Sequence, residues 1–198
     1  MREAIIFVVS GPSGSGKTTL TRRVIKMVEN LRFSVSFTTR LPRPDEVDGI
    51  DYRFISDHEF DEMVKNKRVA EWAIVHGHRY GTPIEELEKM RSSGVDLLLD
   101  IDTQGAKSIR NLYGSGVYIF VTTSSLEVLK ERLIKRHAEG MVEIARRIED
   151  SRNEMDEIKS YDYIIINDSI DEAIEKLKAV IIAERCKRER VLNSIKKF

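Results

Sequence analysis

Short apolar runs alternate along the chain with longer segments in which apolar residues recur at helical spacing. The runs are rich in β-branched residues and continuously apolar, which is typical of strands covered on both faces. Strands that alternate with helices predict a parallel sheet between two helical layers. The pattern predicts an α/β fold with five core strands, at residues 4–10, 33–38, 95–101, 117–121 and 163–166.

Five helices are predicted between and after these strands, at residues 17–29, 103–112, 125–136, 143–159 and 170–190. The last of them repeats apolar residues at Ile170, Ile174, Leu177 and Ile181, the spacing of a helix with one buried face. We therefore expect it to cover one face of the sheet.

Residues 40–94 interrupt the alternation, because the segment is too long for a crossover and has strand-like pieces of its own at 52–55 and 69–75. Asp57 is predicted to cap a helix that runs through Phe60, and Thr82 and Pro83 to start another. A second irregular stretch, residues 137–142, predicts a mobile flap between two arginine-rich helices. The predicted domain thus has a core of residues 1–37, 95–136 and 148–198, an inserted subdomain at about 38–94 and a short lid at about 137–147.

Composition narrows the function classes. The 198 residues include 33 Lys and Arg against 33 Asp and Glu, so no global basic field favours nucleic acid as a partner. The single cysteine, Cys186, excludes an internal disulfide and a multi-cysteine zinc site. The apolar run at residues 4–9 is far shorter than the roughly 20 residues that span a bilayer. These features predict a soluble, cytoplasmic protein without a membrane partner.

A glycine-rich loop follows the first predicted strand and opens the first predicted helix. It matches the P-loop pattern, in which backbone N–H groups, the helix dipole and a lysine surround a phosphate and a hydroxyl binds magnesium. The alternative, a ligand-free turn, is disfavoured because Lys17 and Thr18 are both present in this context. We predict binding of a nucleoside triphosphate and Mg²⁺, with Thr18 as a metal ligand. The predicted binding loop is Gly11, Pro12, Ser13, Gly14, Ser15, Gly16, Lys17 and Thr18.

The phosphate acceptor requires a second site, because P-loops serve switches, motors and small-molecule kinases alike. Arg40 and Arg43 flank a proline-stiffened turn and can form a planar clamp for a phosphate. The alternative is a pair of surface arginines in ordinary ion pairs.

Four motifs in order resemble the guanylate kinase family, whose members transfer a phosphoryl group from ATP to GMP. The resemblance covers the chain from the P-loop to Asn167. The motifs are the P-loop, the segment from Ser36 through Arg40 and Arg43 to Phe54, Glu71-Trp72 with Tyr80-Gly81-Thr82, and Asp100-Ile101-Asp102 with Gln104-Gly105.

The resemblance implies roles for the matched residues. Arg40, Arg43, Tyr52 and Tyr80 would hold the GMP phosphate. The carboxylate of Glu71 would accept the N1–H and N2 protons of guanine, which adenine lacks, and such a site can discriminate by about 10⁴ to 10⁵. The hydroxyls of Ser36 and Thr82 would donate to O6 of the base, and the carboxylate of Asp102 would lie near it.

Asp100 and Asp102 follow an apolar strand, where an acid in P-loop proteins commonly orients magnesium through its water shell. We assign this role to Asp100, although the residues alone do not separate the two aspartates. Asp102 has a second interpretation as the N-cap of the following helix.

The resemblance also implies a set of arginines that close over the triphosphate, namely Arg132, Arg136 and Arg147. Their alternative is a set of exposed helix arginines paired with nearby acids. The flap departs from the Gly-Arg-Gly sequence common in the family, because it reads Lys-Arg-His-Ala-Glu-Gly-Met from Lys135. Asn167 resembles the residue beside the adenine of ATP, and alternatively ends a strand as a turn former.

The implied activity is Mg²⁺-assisted phosphorylation of GMP, and of dGMP, by ATP in purine nucleotide metabolism. The acceptor oxygen is already anionic, so the reaction requires charge neutralisation and positioning but no general base. The implied catalytic groups are Lys17, Arg40, Arg43, Arg132, Arg136 and Arg147. The implied partners are GMP and ATP, with the chain a monomer or a homodimer. Two alternatives are a non-catalytic phosphopeptide-binding module of the same fold and a monophosphate kinase of different base preference.

Overall fold

A computed structural model describes residues 3–44, 46–136 and 141–192 of the chain. Its elements, in order, are β1 (Ile6–Ser10), α1 (Lys17–Ile25), β2 (Leu31–Phe33), β3 (Phe37–Thr38), β4 (Arg53–Phe54), α2 (Asp57–Lys65), β5 (Val69–Val75), β6 (His78–Pro83), α3 (Ile84–Ser93), β7 (Asp96–Asp100), α4 (Thr103–Tyr113), β8 (Val117–Thr122), α5 (Leu126–Arg136), α6 (Met141–Asp156), a 3₁₀ turn (Glu157–Ser160), β9 (Tyr163–Ile166), α7 (Ile170–Arg185) and α8 (Arg188–Val191).

The core is a five-stranded parallel sheet in the order β2-β7-β1-β8-β9, which confirms the predicted fold class. β1 is the central strand, and the P-loop follows its carboxyl end. The connection after β1 leads to β2 at one edge of the sheet, whereas the connection after β7 leads to β8 on the other side of β1. The two connections diverge and leave a crevice at the carboxyl ends of the strands, the usual place for a ligand in such sheets.

Two apolar layers cover the core sheet. Phe7 and Val9 of β1 point to the layer formed by α1 and α7, where Leu177 is fully buried. Ile6 and Val8 point to the opposite layer, which includes residues of α3 and α4. Because successive side chains of a strand face opposite ways, a strand covered on both sides must be apolar throughout, as the sequence pattern indicated.

A second, four-stranded sheet has the order β4-β3-β6-β5 and lies in the segment between β2 and β7. Its β5-β6 hairpin is antiparallel, whereas β3 pairs parallel with β4. Leu87 of α3 packs against the core sheet, and Phe60 of α2 meets Trp72 of β5 edge to face. The helix predicted to start at Pro83 is confirmed, because Pro83 is the N-cap of α3.

The strand predicted at residues 33–38 is wrong, because the structure divides it between the two sheets. Phe33 ends β2 in the core sheet, and Phe37 begins β3 in the second sheet. Between them Ser34 still donates to the carbonyl of Leu98, whereas Ser36 accepts from the amide of Arg53. The chain stays extended as it crosses, so periodicity does not reveal the change of partner.

Several predicted helix ends also require correction. Ser56, not Asp57, caps α2: its hydroxyl accepts from the amide of Glu59, and the Glu59 carboxylate accepts from the amide of Ser56 in a reciprocal capping box. The helix predicted at 17–29 ends at Ile25, and the one predicted at 170–190 ends at Arg185, where the chain turns before α8.

Within the predicted lid, residues 141–147 are helical, because α6 begins at Met141, two residues before the predicted start at 143. The helix ends at Asp156, three residues before the predicted end at 159, and the 3₁₀ turn follows it. Residues 137–140 of the predicted flap lie outside the described residues.

A buried ion pair joins the end of α7 to the core sheet. Asp96 at the start of β7 is fully buried; its carboxylate accepts from the amide of Ile5 at 2.8 Å and from Arg185 Nε at 2.7 Å. Arg185 also donates to the carbonyls of Glu29 and Asn30, which precede β2. One arginine thus joins α7, β7 and the entry to β2.

We expect Arg185→Ala to lower the free energy of unfolding by about 3 kcal/mol, because the fully buried Asp96 carboxylate would lose the charged partner that donates to its Oδ2. The matched control is Arg23→Ala, which removes the exposed pair with Asp171 between α1 and α7 and should cost less than about 1 kcal/mol. Urea unfolding followed by circular dichroism measures both. Equal losses in the two variants would contradict this reading of the buried pair.

Candidate active site

A cleft of about 900 Å³ opens at the carboxyl ends of β1 and β7. Its walls are the P-loop, the segment after β7, the β5-β6 hairpin of the second sheet and one face of α6. Binding clefts for small molecules commonly have volumes of this order, about 300 to 1,000 Å³. The predicted sites for ATP and GMP therefore face a common space.

The P-loop has the backbone that its glycines permit. Gly11 has a φ of +132°, and a Cβ there would lie 2.2 Å from the carbonyl oxygen of Val121 in β8. Gly16 is the left-handed N-cap of α1, so amide groups at the start of this helix face the loop. The ammonium of Lys17 donates to the carbonyls of Gly11 and Pro12 at 2.5 and 3.1 Å. A full positive charge therefore lies at the loop.

Asn167, which follows β9, forms a hydrogen bond with the backbone of the P-loop. Its Nδ2 donates to the carbonyl of Ser15 at 2.7 Å, and its backbone amide donates to Thr122 at the end of β8. The side chain is only 2% exposed and does not line the cleft. The structure thus gives Asn167 a contact with the loop, and its predicted place beside adenine stays a prediction.

Thr18 and Asp100 bring two oxygen groups together at the predicted metal position. The hydroxyl of Thr18 donates to Oδ2 of Asp100 at 2.8 Å, and both residues line the cleft. The contact forms because α1 starts beside the carboxyl end of β7. Hydroxyl and carboxylate oxygens are ligands that Mg²⁺ prefers, so this pair fits the ion.

An aromatic and guanidinium cluster lies on the second sheet. Arg40 Nε donates to the hydroxyl of Tyr80 at 3.0 Å, and the guanidinium lies 5.4 Å from the ring of Tyr52. The rings of Tyr52 and Tyr80 meet edge to face. Burial raises the pKa of Tyr52, with the nearby Asp100 carboxylate adding to the effect, so its hydroxyl stays a neutral donor. These groups and Arg43 line the cleft together, and their predicted role in binding the GMP phosphate stays a prediction.

Glu71 of β5 lines the cleft from the second sheet. It is 7% exposed, and its Oε1 accepts from the Thr82 hydroxyl at 2.5 Å. Burial raises its pKa to about 7; the Thr82 hydrogen bond opposes this shift, and the Asp102 carboxylate adds to it. The hydroxyl that we expected to donate to guanine O6 thus donates to Glu71 in this structure. Ser36, buried between the two sheets, also lines the cleft.

Asp102 has the capping contact of its second interpretation. Its Oδ1 accepts from the amide of Gly105 at 2.8 Å, as the N-cap of α4, and burial raises its pKa. A Cβ on Gly105 would lie 2.7 Å from Oε2 of Glu71, so this glycine gives the Glu71 carboxylate its space. Gly105 was visible in the sequence motif, but the sequence did not indicate this contact. A role of Asp102 near guanine stays a prediction.

The predicted arginines separate in the structure. Arg147 is 8% exposed and lines the cleft from α6. Arg132 does not line the cleft and donates to the carbonyl of Asp168 at 3.1 Å. The side chain of Arg136 lies outside the described part of the chain.

Sequence reasoning missed most of the α6 face. Arg146, Asp150, Asn153 and Glu154 line the cleft beside Arg147. Polar residues at helical spacing were the available signal, since three- and four-residue steps place them on one face. Burial raises the pKa of Glu154 to about 7, an effect that the nearby Lys17 ammonium opposes.

Comparison with known proteins assigns the chain to a family. The sequence model described as "Guanylate kinase" matches residues 3–184. The guanylate kinase of Geobacter sulfurreducens is 49% identical over 194 residues, covering 98% of this chain and 96% of that protein. The guanylate kinase of Thermotoga maritima is 40% identical over 193 residues, covering 98% and 93%.

The chain belongs to the guanylate kinase family.

Solved structures agree with this assignment. The crystal structure of guanylate kinase from Anaplasma phagocytophilum matches with a TM-score of 0.81 and 33% identity, covering 96% of this chain and 90% of that one. The resemblance drawn from the four sequence motifs is thereby confirmed. The roles of individual residues stay predictions that the geometry supports.

The described residues lack two features. Among residues 3–44, 46–136 and 141–192, none of the helices combines the length and the apolar character that a membrane span requires. Nor does this part of the chain contain a cluster of three or more His, Cys, Asp or Glu residues suited to a metal ion. A hydroxyl and a single carboxylate, as at Thr18 and Asp100, do not form such a cluster.

The pKa of Glu71 predicts a pH-dependent stability in this family member. An unfolded glutamate titrates near pH 4.3, so between about pH 4.5 and 7 the folded state holds the Glu71 proton more tightly. The free energy of unfolding should therefore fall as pH rises through this window. Relative to Glu71→Gln, we expect the wild-type protein to lose up to about 3 kcal/mol between pH 4.5 and 7.5. Urea unfolding at several pH values tests this, and a pH-independent difference would refute it.

Proposed function

We propose that this guanylate kinase family member transfers the γ-phosphoryl group of ATP to the phosphate of GMP, with dGMP as a second acceptor. One observation carries the proposal: a single cleft has the P-loop with Lys17 on one wall, and Arg40 and Glu71 on the other. A donor nucleotide on the first wall and an acceptor on the second would place their phosphates toward each other. Positioning of this kind supplies much of the catalysis in phosphoryl transfer.

The donor side neutralises the triphosphate. The amides of the P-loop and the start of α1 would bind the β- and γ-phosphates, and the Lys17 ammonium would leave its carbonyl contacts for them. Thr18 would bind Mg²⁺ directly and Asp100 through a water molecule, and the ion would supply positive charge to the phosphates. Arg147 and Arg146 on α6 would add charge from the opposite wall.

The acceptor side selects GMP. The arginines and tyrosines of the second sheet would bind its phosphate, while Glu71 would accept both N–H donors of guanine. Adenine presents an unprotonated N1 and would leave the buried carboxylate unsatisfied, which disfavours a kinase of another base preference. The intact set of Lys17, Thr18 and Asp100 disfavours a non-catalytic module. Both substrates are cytoplasmic metabolites, so we propose the cytoplasm as the site of action.

We expect ADP formation from MgATP with GMP and not with AMP, CMP, UMP or dTMP. Glu71→Gln should lower kcat/KM for GMP by about 10²- to 10³-fold, because a neutral amide cannot accept both guanine donors. Glu85→Gln is the matched control, since this exposed acid on α3 pairs with Arg68 away from the cleft. A coupled assay for ADP measures each rate. A folded wild-type protein without turnover on any monophosphate would contradict the proposal, and a preference for AMP would contradict the role of Glu71.

The magnesium assignment has a separate test. Asp100→Asn should raise the Mg²⁺ concentration for half-maximal activity by about 10- to 100-fold, the usual effect of removing a residue that orients a metal ligand. The control is Asp171→Asn, because Asp171 is exposed on α7. Magnesium titrations at saturating ATP and GMP give the comparison. Identical titration curves for wild type and Asp100→Asn would refute the assignment.

A further inference from the structure

Glu46, for which the sequence indicated no role, lies behind the arginines of the acceptor site. We propose that Glu46 is a positioning residue for the GMP phosphate: it holds Arg40 and Arg43 in their binding arrangement and acts through them without touching the nucleotide. The inference rests on the proposed function, because it takes these arginines as the phosphate-binding groups.

The carboxylate of Glu46 contacts both arginines. Oε2 accepts from Arg40 Nη1 and from the backbone amide of Arg43, each at 2.8 Å. Oε1 accepts from Arg40 Nη2 at 2.9 Å and lies 3.8 Å from Arg43 Nη1. The ion pair of Glu46 with Arg40 is therefore bidentate, a geometry that fixes the plane of the guanidinium group.

The turn that follows Arg43 brings Glu46 to this place. The backbone amide of Glu46 donates to the carbonyl of Arg43 at 3.1 Å, which closes the turn around Pro44. The side chain then points back toward Arg40, six residues earlier. Three residues of one short turn thus build the contact without help from a distant element.

Arg40 has little freedom left in this arrangement. Of its five N–H groups, four donate to described residues: Nε to Tyr80, one on each terminal nitrogen to Glu46, and a second on Nη1 to the carbonyl of Leu41. The rings of Tyr52 and Phe54 lie 5.4 and 5.7 Å from the guanidinium carbon. Among the described residues no partner takes the remaining N–H on Nη2, so this group can bind a phosphate oxygen in a direction that is set before the ligand arrives.

The charges of Arg40 and Arg43 explain why a carboxylate is favourable next to a phosphate-binding site. Two guanidinium groups that converge on one space repel each other unless a counter-charge lies between them. Burial alone would raise the pKa of Glu46, but the hydrogen bonds from Arg40 and the Arg43 amide outweigh it and lower that pKa. The carboxylate thus stays charged at neutral pH. The three groups together keep one net positive charge for the phosphate.

The position of Glu46 shows whether it positions the arginines or is a placeholder, that is, a carboxylate that occupies the phosphate site itself. A carboxylate that mimicked the phosphate would have to occupy the cleft and leave when GMP binds. Arg40, Leu41 and Arg43 line the cleft, whereas Glu46 does not, and its side chain is 5% exposed. Its bond to the backbone of Arg43 also fixes it to the turn.

The test compares GMP with guanosine, which lacks the phosphate. We expect Glu46→Ala to weaken GMP binding at least tenfold by isothermal titration calorimetry, with guanosine binding changed less than twofold. In steady-state assays, KM for GMP should rise by a similar factor while KM for ATP stays within twofold. Glu46→Gln, which keeps the shape and one acceptor oxygen, should lie between the wild type and Glu46→Ala. The control Glu85→Ala should match the wild type, and thermal unfolding confirms that each variant is folded.

Each other outcome overturns the proposal in its own way. Tighter GMP binding by Glu46→Ala would identify a placeholder, and unchanged binding would remove any role. Equal losses for GMP and guanosine would indicate a general structural role. If the wild-type protein bound GMP no better than guanosine, the phosphate site of the proposed function would itself fail, whatever the variants did.

Discussion

The close approach of the P-loop to the neighbouring strand governs the arrangement of the cleft. β1 lies between β7 and β8, and Gly11 is so near the backbone of β8 that no side chain fits there. Asn167, after β9, bonds the same loop from beneath. The carboxyl ends of four adjacent parallel strands therefore converge on one loop, and Asp100 reaches Thr18 for this reason. The geometry of the donor site therefore depends on the order of the strands as well as on the sequence of the loop.

On the acceptor side, the partners of the buried ionisable groups decide their pKa values. Arg40 has a counter-charge in Glu46, whereas Glu71 accepts from the hydroxyl of Thr82 and lies near the like charge of Asp102. The first carboxylate therefore has a lowered pKa and the second a raised one. Near pH 7 Glu46 is therefore a charged carboxylate behind the arginines, whereas the pKa of Glu71 lies close to that pH.

The sequence predicted the features that depend on local pattern, and it missed those that depend on which neighbours meet. Continuous apolar runs were sufficient for the parallel sheet, and the glycine spacing for the P-loop. The run through Phe33 and Phe37 did not reveal two sheets, because an extended chain has the same period in either. Arg132 and Arg146 carry the same charge on neighbouring helices, and only the packing of α6 decides that the second one faces the cleft.

The places where the inserted segment leaves and rejoins the core have a topological consequence. β2 ends at Phe33 and β7 begins at Asp96, and these two strands are direct parallel neighbours, with Phe33 opposite Leu98. The chain therefore leaves at the carboxyl end of one strand and must return to the amino end of the next. α3 makes this return, and its Leu87 is buried against the core sheet. The segment that carries the second sheet thus also supplies part of the core, so exchange of the whole segment would remove apolar cover from the core sheet as well as the acceptor side of the cleft.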